Sequence, residues 1–144
     1  MANLKTRYTD AGRRGFFKVG VALAQRGVTA DMLTYFGLLL QVGVVPLVLT
    51  GHFVWAVPLG VLAAICDALD GAVARAGVGP TKAGAFLDST TDRISELLVA
   101  GALTIYFAGQ DMWWTAGGVL LFLGASQMVS YLSLIHISEP TRPY

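Results

Sequence analysis

The sequence predicts an all-α protein, a polytopic bundle of transmembrane helices. Of its 144 residues, 55% are hydrophobic and 13% are charged, whereas an average soluble domain carries about 25% charged residues. The apolar residues form long stretches, and one membrane span needs about 20 of them, so the chain has room for about four spans. The composition excludes a disordered chain and a nucleic-acid-binding protein. The single cysteine, Cys66, excludes an internal disulfide.

The first segment, residues 1–27, is basic and amphipathic. Six of the ten lysines and arginines precede Val28, and apolar residues such as Phe16 and Phe17 alternate with Arg13, Arg14 and Lys18. This pattern predicts a helix that lies on the inner membrane surface, held by anionic lipids and by its apolar face. The alternative is a solvated basic arm.

Four apolar segments follow, which we predict to be helical spans over residues 32–50, 53–74, 82–108 and 112–131. Tight turns separate them at residues 51–52 and 109–111, and residues 76–81 form a loop because two glycines and a proline interrupt the helix. Residues 28–131 are therefore predicted to form one transmembrane domain.

The end of the chain has an unusual sequence. Residues 132–142 read LSLIHISEPTR, which looks like the translation of a transposase adaptor used in sequencing libraries. We therefore expect residues 132–144 to be a non-native tail and the natural protein to depart from this sequence after about Tyr131. The alternative is a genuine C-terminal tail.

The distribution of basic residues predicts the orientation. Lysine and arginine are absent from the turns at 51–53 and 109–111, whereas the N-terminal segment and the region from Arg75 to Arg93 hold nine of the ten. The positive-inside rule places these basic regions in the cytoplasm. Trp55, Trp113 and Trp114 then lie at the outer interface, as an aromatic belt would.

Four aspartates stand out within the apolar sequence. Asp67 and Asp70 are three residues apart on the second predicted span, and Asp88 and Asp92 are four apart on the third, so each pair shares one helix face. A short loop joins the two helices, which we expect to form an antiparallel hairpin with the two pairs facing each other. Charges inside a membrane are costly and are usually functional.

Such closely spaced carboxylates repel one another and require cations. Oxygen ligands suit Mg²⁺ or Mn²⁺, and four carboxylates could hold two ions about 3.5–4 Å apart, the arrangement that clamps a phosphate during in-line displacement. A buried ion-pair network or a cation-transport path is the alternative interpretation.

The full pattern, with Gly71, Ala74, Arg75 and Gly84 between the aspartates, reads D-x2-D-G-x2-A-R-x8-G-x3-D-x3-D. It resembles the signature of the CDP-alcohol phosphatidyltransferases at every fixed position, and the resemblance covers about residues 28–109. Members of that family have six transmembrane helices, of which this sequence would hold four. They use divalent metal to transfer a phosphatidyl group from a CDP-linked lipid to an alcohol, with release of CMP.

The resemblance implies roles for individual residues. It makes all four aspartates metal ligands, with Asp92 also the general base on the acceptor hydroxyl. The CDP-binding set that it implies is Gly71, Ala74, Arg75, Gly84 and Thr34. Thr34 matches a threonine that many members carry, but the Pro-Asn that often precedes it is here Ala30-Asp31.

Three further polar residues have two interpretations each. Lys82 either contacts phosphate or anchors its helix at the interface, and Arg93 either contacts the acceptor or neutralises the aspartates. Glu96 either supports the site or forms a hydrogen bond within the bundle.

The stretch GAFLDSTTDRISE resembles the branch of the family that transfers to inositol phosphate. Inositol phosphate is therefore the expected acceptor, and glycerol phosphate is the alternative. A non-enzymatic cation carrier or membrane scaffold is the alternative of another class. The resemblance also implies CDP-diacylglycerol and membrane lipids as partners, a homodimer, and a place in the cell membrane with the active site on the cytoplasmic side.

Overall fold

The computed structural model describes the backbone of residues 4–77, 79 and 81–138. Among these residues, it describes the side chains of those between 15 and 132. This part of the chain is almost entirely helical. Its five helices are α1 (Leu4–Gln25), α2 (Ala30–Leu49), α3 (Phe53–Ala76), α4 (Lys82–Gly109) and α5 (Trp113–Ser138). The predicted all-α fold is confirmed, and the N-terminal segment forms a helix.

Three of the described helices are long and apolar enough to cross a membrane: α2, α3 and the part of α5 up to Leu132. The third predicted span, α4, is long enough, with 28 residues, but it is less apolar. The difference comes from charged residues between Lys82 and Glu96, among them Asp88 and Asp92. These are the residues for which a chemical role is predicted.

The predicted turns are the places where the helices end. Gly27, Gly51 and Gly79 all have positive φ angles, as does Asp111 between α4 and α5. Threonines cap two helices at their start: Thr29 accepts from the Met32 N–H, and Thr81 accepts from the Gly84 N–H at 3.0 Å. The last helix continues to Ser138, past the predicted boundary at Tyr131.

Helix α2 is the centre of the bundle, because it packs against both α3 and α4. Helix α5 packs against α4, and α1 packs against α3. Within the described residues, no Cα atom of α3 lies within 8 Å of one in α4. The expected hairpin is therefore open: α3 and α4 face each other across a gap, and α2 holds both.

An apolar core closes one end of this arrangement. It is built from Val44 and Val48 of α2, Ala56 of α3 and Ala102 of α4. At the same end, the Phe53 ring meets the Tyr106 ring edge-on, with 5.0 Å between the centroids. This end lies at the 50–52 turn and the C-terminus of α4, so the aspartates lie toward the opposite end.

The N-terminal helix is docked closely on α3. A Cβ atom at Gly20 would lie only 2.8 Å from the carbonyl carbon and the Cβ of Ala72, which is itself 1% exposed. Glycine at position 20 lets the two backbones approach. Because Ala72 is two residues from Asp70, α1 supports the part of α3 that carries the acidic residues.

Candidate active site

Three aspartates from two helices meet at the open end of the bundle. Asp67 and Asp70 come from the last turns of α3, and Asp88 comes from the second turn of α4. One carboxylate oxygen from each lies within 4.8 Å of one from each of the others. Asp70 is buried, whereas Asp67 and Asp88 are exposed. A ligand can therefore reach Asp67 and Asp88 from outside, whereas Asp70 lies within the protein.

The fourth aspartate, Asp92, lies one turn further along α4. Its carboxylate is within hydrogen-bonding reach of the Asp67 carboxylate. The structure thus brings all four predicted aspartates close together. Asp67, Asp70 and Asp88 form a cluster, and Asp92 lies beside Asp67.

Thr34 of α2 contacts this cluster directly. Its hydroxyl donates a hydrogen bond of 2.6 Å to Oδ2 of Asp70, and both side chains are buried, at 7% and 6% exposed. Thr34 was predicted as a nucleotide contact, and the structure turns its hydroxyl toward a predicted metal ligand.

A cavity of about 750 Å³ opens beside the aspartates. Asp67 and Asp92 lie on its wall, and it extends between α2, α3, α4 and α5 toward apolar residues such as Leu103 and Phe122. The remaining polar side chains on its wall are Thr34, Gln41, Thr91, Ser95, Glu96 and Thr115. The cavity is therefore lined by apolar residues and by a smaller number of polar side chains, two of the predicted aspartates among them.

Two polar residues on α4 have hydrogen-bond partners in the described part of the chain. Glu96 accepts a hydrogen bond of 2.8 Å from Nε2 of Gln127 on α5, so it joins two helices at the cavity wall. Arg93 donates to the carbonyl and hydroxyl oxygens of Ser89, one turn earlier on its own helix. Its guanidinium is therefore directed along α4 toward the first turns of that helix.

The small residues of the motif lie beside its polar residues. A Cβ at Gly71 would lie 3.5 Å from Nη1 of Arg75, so the guanidinium extends back over the glycine. A Cβ at Gly84 would lie 3.1 Å from the capping hydroxyl of Thr81. Ala74 is partly buried, and Lys82 is exposed at the start of α4.

Sequence reasoning missed two contributors to the site. Gln127 is the partner of Glu96, and nothing in an isolated glutamine on an apolar helix indicates which helix it faces. Gly37 is packed against α3: its Cβ would lie 3.5 Å from Cβ of Cys66 and 4.0 Å from the Asp67 nitrogen. A glycine within a membrane helix is a signal for such close packing, and here it fixes the distance between α2 and the acidic residues.

The donor set fits a hard divalent cation. The cluster offers carboxylate oxygens alone, which Mg²⁺ and Mn²⁺ prefer. The mutual repulsion of these carboxylates would fall when a cation binds between them. The hydrogen bond from Thr34 also occupies only one of the several acceptor positions of Asp70, so this carboxylate keeps capacity for a ligand.

The sequence and the fold place the chain in a known family. The sequence model of the CDP-alcohol phosphatidyltransferases matches residues 27–143, and the chain belongs to this family. Its relatives include the phosphatidylinositol phosphate synthase of Corynebacterium glutamicum, which is 42% identical over 111 residues, 73% of this chain and 49% of the relative. The archaetidylinositol phosphate synthase of Pyrococcus horikoshii is 36% identical over 79% of this chain and 58% of its own length.

A solved structure is similar as well. The crystal structure of Mycobacterium tuberculosis phosphatidylinositol phosphate synthase with CDP-DAG bound superposes with a TM-score of 0.73 at 32% sequence identity. The match covers 82% of this chain and 60% of that chain. The present chain thus spans about half the length of the C. glutamicum relative.

Proposed function

We propose that the full-length protein transfers a phosphatidyl group from CDP-diacylglycerol to inositol phosphate, in phospholipid biosynthesis, and releases CMP. The observation that carries the proposal is the clustering of Asp67, Asp70, Asp88 and Asp92 beside one cavity, in a chain that belongs to the CDP-alcohol phosphatidyltransferase family. The choice of acceptor is supported by relatives that are named phosphatidylinositol phosphate synthase and archaetidylinositol phosphate synthase.

We assign the four aspartates to one divalent metal site, for Mg²⁺ or Mn²⁺ and with room for two ions. When bound, such ions supply positive charge that offsets the charge of the diphosphate. The protein's own contribution is to keep three carboxylates within 4.8 Å of one another on two separate helices. Arg75, exposed above Gly71, is placed to pair with a phosphate oxygen of the nucleotide.

Asp92 is the proposed general base. It lies on the cavity wall beside Asp67, so an acceptor in the cavity can bring its hydroxyl within reach. Asp92 takes the hydroxyl proton as the oxygen attacks the lipid-side phosphorus. The bond between that phosphorus and the bridging oxygen breaks, and its electrons leave with CMP. The CDP pocket is formed in this proposal by Gly71, Ala74, Arg75, Gly84 and Thr34.

The membrane geometry follows from the same assignment. We propose that α4 also crosses the membrane, with its charged face toward the cavity, and that the active site opens to the cytoplasm. The exposed Phe16, Phe17 and Val19 of α1 then face the membrane interface, with Lys18 near anionic lipids. A homodimer in the cell membrane completes the proposal.

The acceptor is tested by assaying the full-length protein in detergent with CDP-diacylglycerol and Mg²⁺. Release of CMP with inositol phosphate at a rate at least about tenfold above that with glycerol phosphate is the expected result, a difference of about 1.4 kcal/mol in transition-state free energy. The lipid product is identified by mass spectrometry. A preference for glycerol phosphate would select the other branch.

The orientation is tested by cysteine labelling in intact cells, in a Cys66→Ala background that removes the buried thiol. Cysteine at His52 or Gln110, both exposed in the turns at the apolar end, should react with an impermeant maleimide from outside, and cysteine at Ala83 should not. Gly51 is unsuitable because its φ is +76° and its Cβ would lie 3.2 Å from the Tyr106 ring. External labelling at Ala83 alone would reverse the topology.

A further inference from the structure

Thr34 joins α2 to the part of the acidic site that α3 carries. It belongs to the second turn of α2, while the carboxylate that it contacts is 36 residues away near the end of α3. The 2.6 Å separation is that of a strong hydrogen bond from a hydroxyl to an ionised carboxylate. Both groups are buried, so water competes little for either partner.

The Thr34 hydroxyl has a second possible acceptor on its own helix, as many helical threonines do. The Ala30 carbonyl, one turn earlier on α2, lies 3.1 Å from the same oxygen. A hydroxyl has one hydrogen, and the shorter, charge-assisted contact is the one to Asp70. The Thr34 hydroxyl therefore donates its hydrogen to the Asp70 carboxylate, while its oxygen stays near the Ala30 carbonyl of its own helix.

The helix that carries Thr34 is itself fixed against α3. Gly37 lies one turn further along α2, and its absent side chain lets α2 approach the backbone beside Cys66 and Asp67. The distance from α2 to the acidic end of α3 is therefore set by backbone packing. Thr34 acts from a rigid support, which is the requirement for a group that orients a ligand.

We propose that Thr34 is a positioning residue that orients the Asp70 carboxylate for the divalent cation, in addition to any contact with the nucleotide. This inference rests on the proposed metal site. Asp70 is the buried member of the cluster, so an error in its orientation cannot be corrected by solvent as readily as in Asp67 or Asp88. Removing the hydroxyl should therefore weaken the binding of metal before any CDP-lipid is present.

The test is a titration of the full-length protein with Mn²⁺, without CDP-lipid, in which free Mn²⁺ is measured by electron paramagnetic resonance. Thr34→Val keeps the shape and removes the hydroxyl, and it should lower Mn²⁺ affinity by about 10–100-fold, the usual loss for a partner that orients a metal ligand. Thr34→Ser keeps the hydroxyl and should restore affinity to within about threefold. Thr34→Ala should behave like Thr34→Val.

Thr104→Val is the matched control, because Thr104 lies toward the apolar end of the bundle and the one partner of its hydroxyl among the described residues is the Ala100 carbonyl on its own helix. It should leave Mn²⁺ affinity unchanged, and thermal unfolding of each variant identifies any loss of folded protein. Wild-type affinity in both Thr34→Val and Thr34→Ala would overturn this inference while leaving the metal site intact. A wild-type protein that binds no Mn²⁺ would overturn the metal site itself.

Discussion

Replacing Asp67, Asp70 or Asp88 by asparagine is expected to lower turnover by at least about a thousandfold, or about 4 kcal/mol of transition-state stabilisation. The expectation follows from the geometry of the cluster, in which each carboxylate contributes an oxygen to one space less than 5 Å across. An asparagine keeps the size of the side chain and one oxygen but removes the negative charge. The cation would therefore lose both a strong ligand and part of its electrostatic attraction.

The measurement has two parts, CMP release at saturating CDP-diacylglycerol and Mn²⁺ binding without substrate. Asp111→Asn is the matched control, because Asp111 lies in the turn between α4 and α5 at the other end of α4. Its φ of +58° suits asparagine as well as aspartate, so the same chemical change should be neutral there. Near-normal turnover in any of the three cluster variants would remove that residue from the metal site.

Asp92→Asn should separate the two roles proposed for Asp92, which are general base and fourth metal ligand. Because Asp92 lies outside the group of three and beside Asp67, its loss should lower turnover strongly and Mn²⁺ affinity less than the loss of Asp70. Equal losses of metal affinity in Asp92→Asn and Asp70→Asn would mean that the loss of turnover comes from lost metal, which would overturn the assignment of Asp92 as the general base.

Much of this site could be predicted because its information is local. Asp67 and Asp70 share a helix face through their spacing alone, as do Asp88 and Asp92, and the turns are marked by glycine and proline. The loop between the two helices limits how far apart the pairs can lie. The sequence could not show that α3 and α4 stay apart, since that distance is set by α2 packed against both.

The contacts that depend on helix rotation could not be predicted in the same way. Whether Thr34 faces Asp70 or a bound nucleotide depends on how α2 is rotated about its axis, and its weak amphipathicity gives little guidance. The same applies to Gln127, whose partner Glu96 is on another helix. Predicting either pair requires the packing of three or four helices together.

The second large effect is expected at Gly20. Valine there would place its Cβ and two further methyl groups against the backbone of Ala72, which cannot move without shifting α3. Overpacking of this kind usually costs about 1–3 kcal/mol, so the packing of α1 against α3 should weaken by a comparable amount. The end of α3 would lose its support next to Asp70, and turnover of the full-length protein should fall together with stability.

The same helix provides a control for Gly20→Val. A Cβ at Gly15 would meet nothing within 4 Å, so Gly15→Val changes helix propensity in the same way without a clash. Trypsin measures the difference, because Lys18 is exposed but lies within α1, and cleavage there requires the helix to open locally. The Gly20→Val variant should be cleaved at Lys18 at least about tenfold faster than the Gly15→Val variant. This ratio corresponds to a decrease of about 1.4 kcal/mol in the free energy of local opening of α1. Equal cleavage rates would mean that the contact between Gly20 and Ala72 does not hold α1 in place.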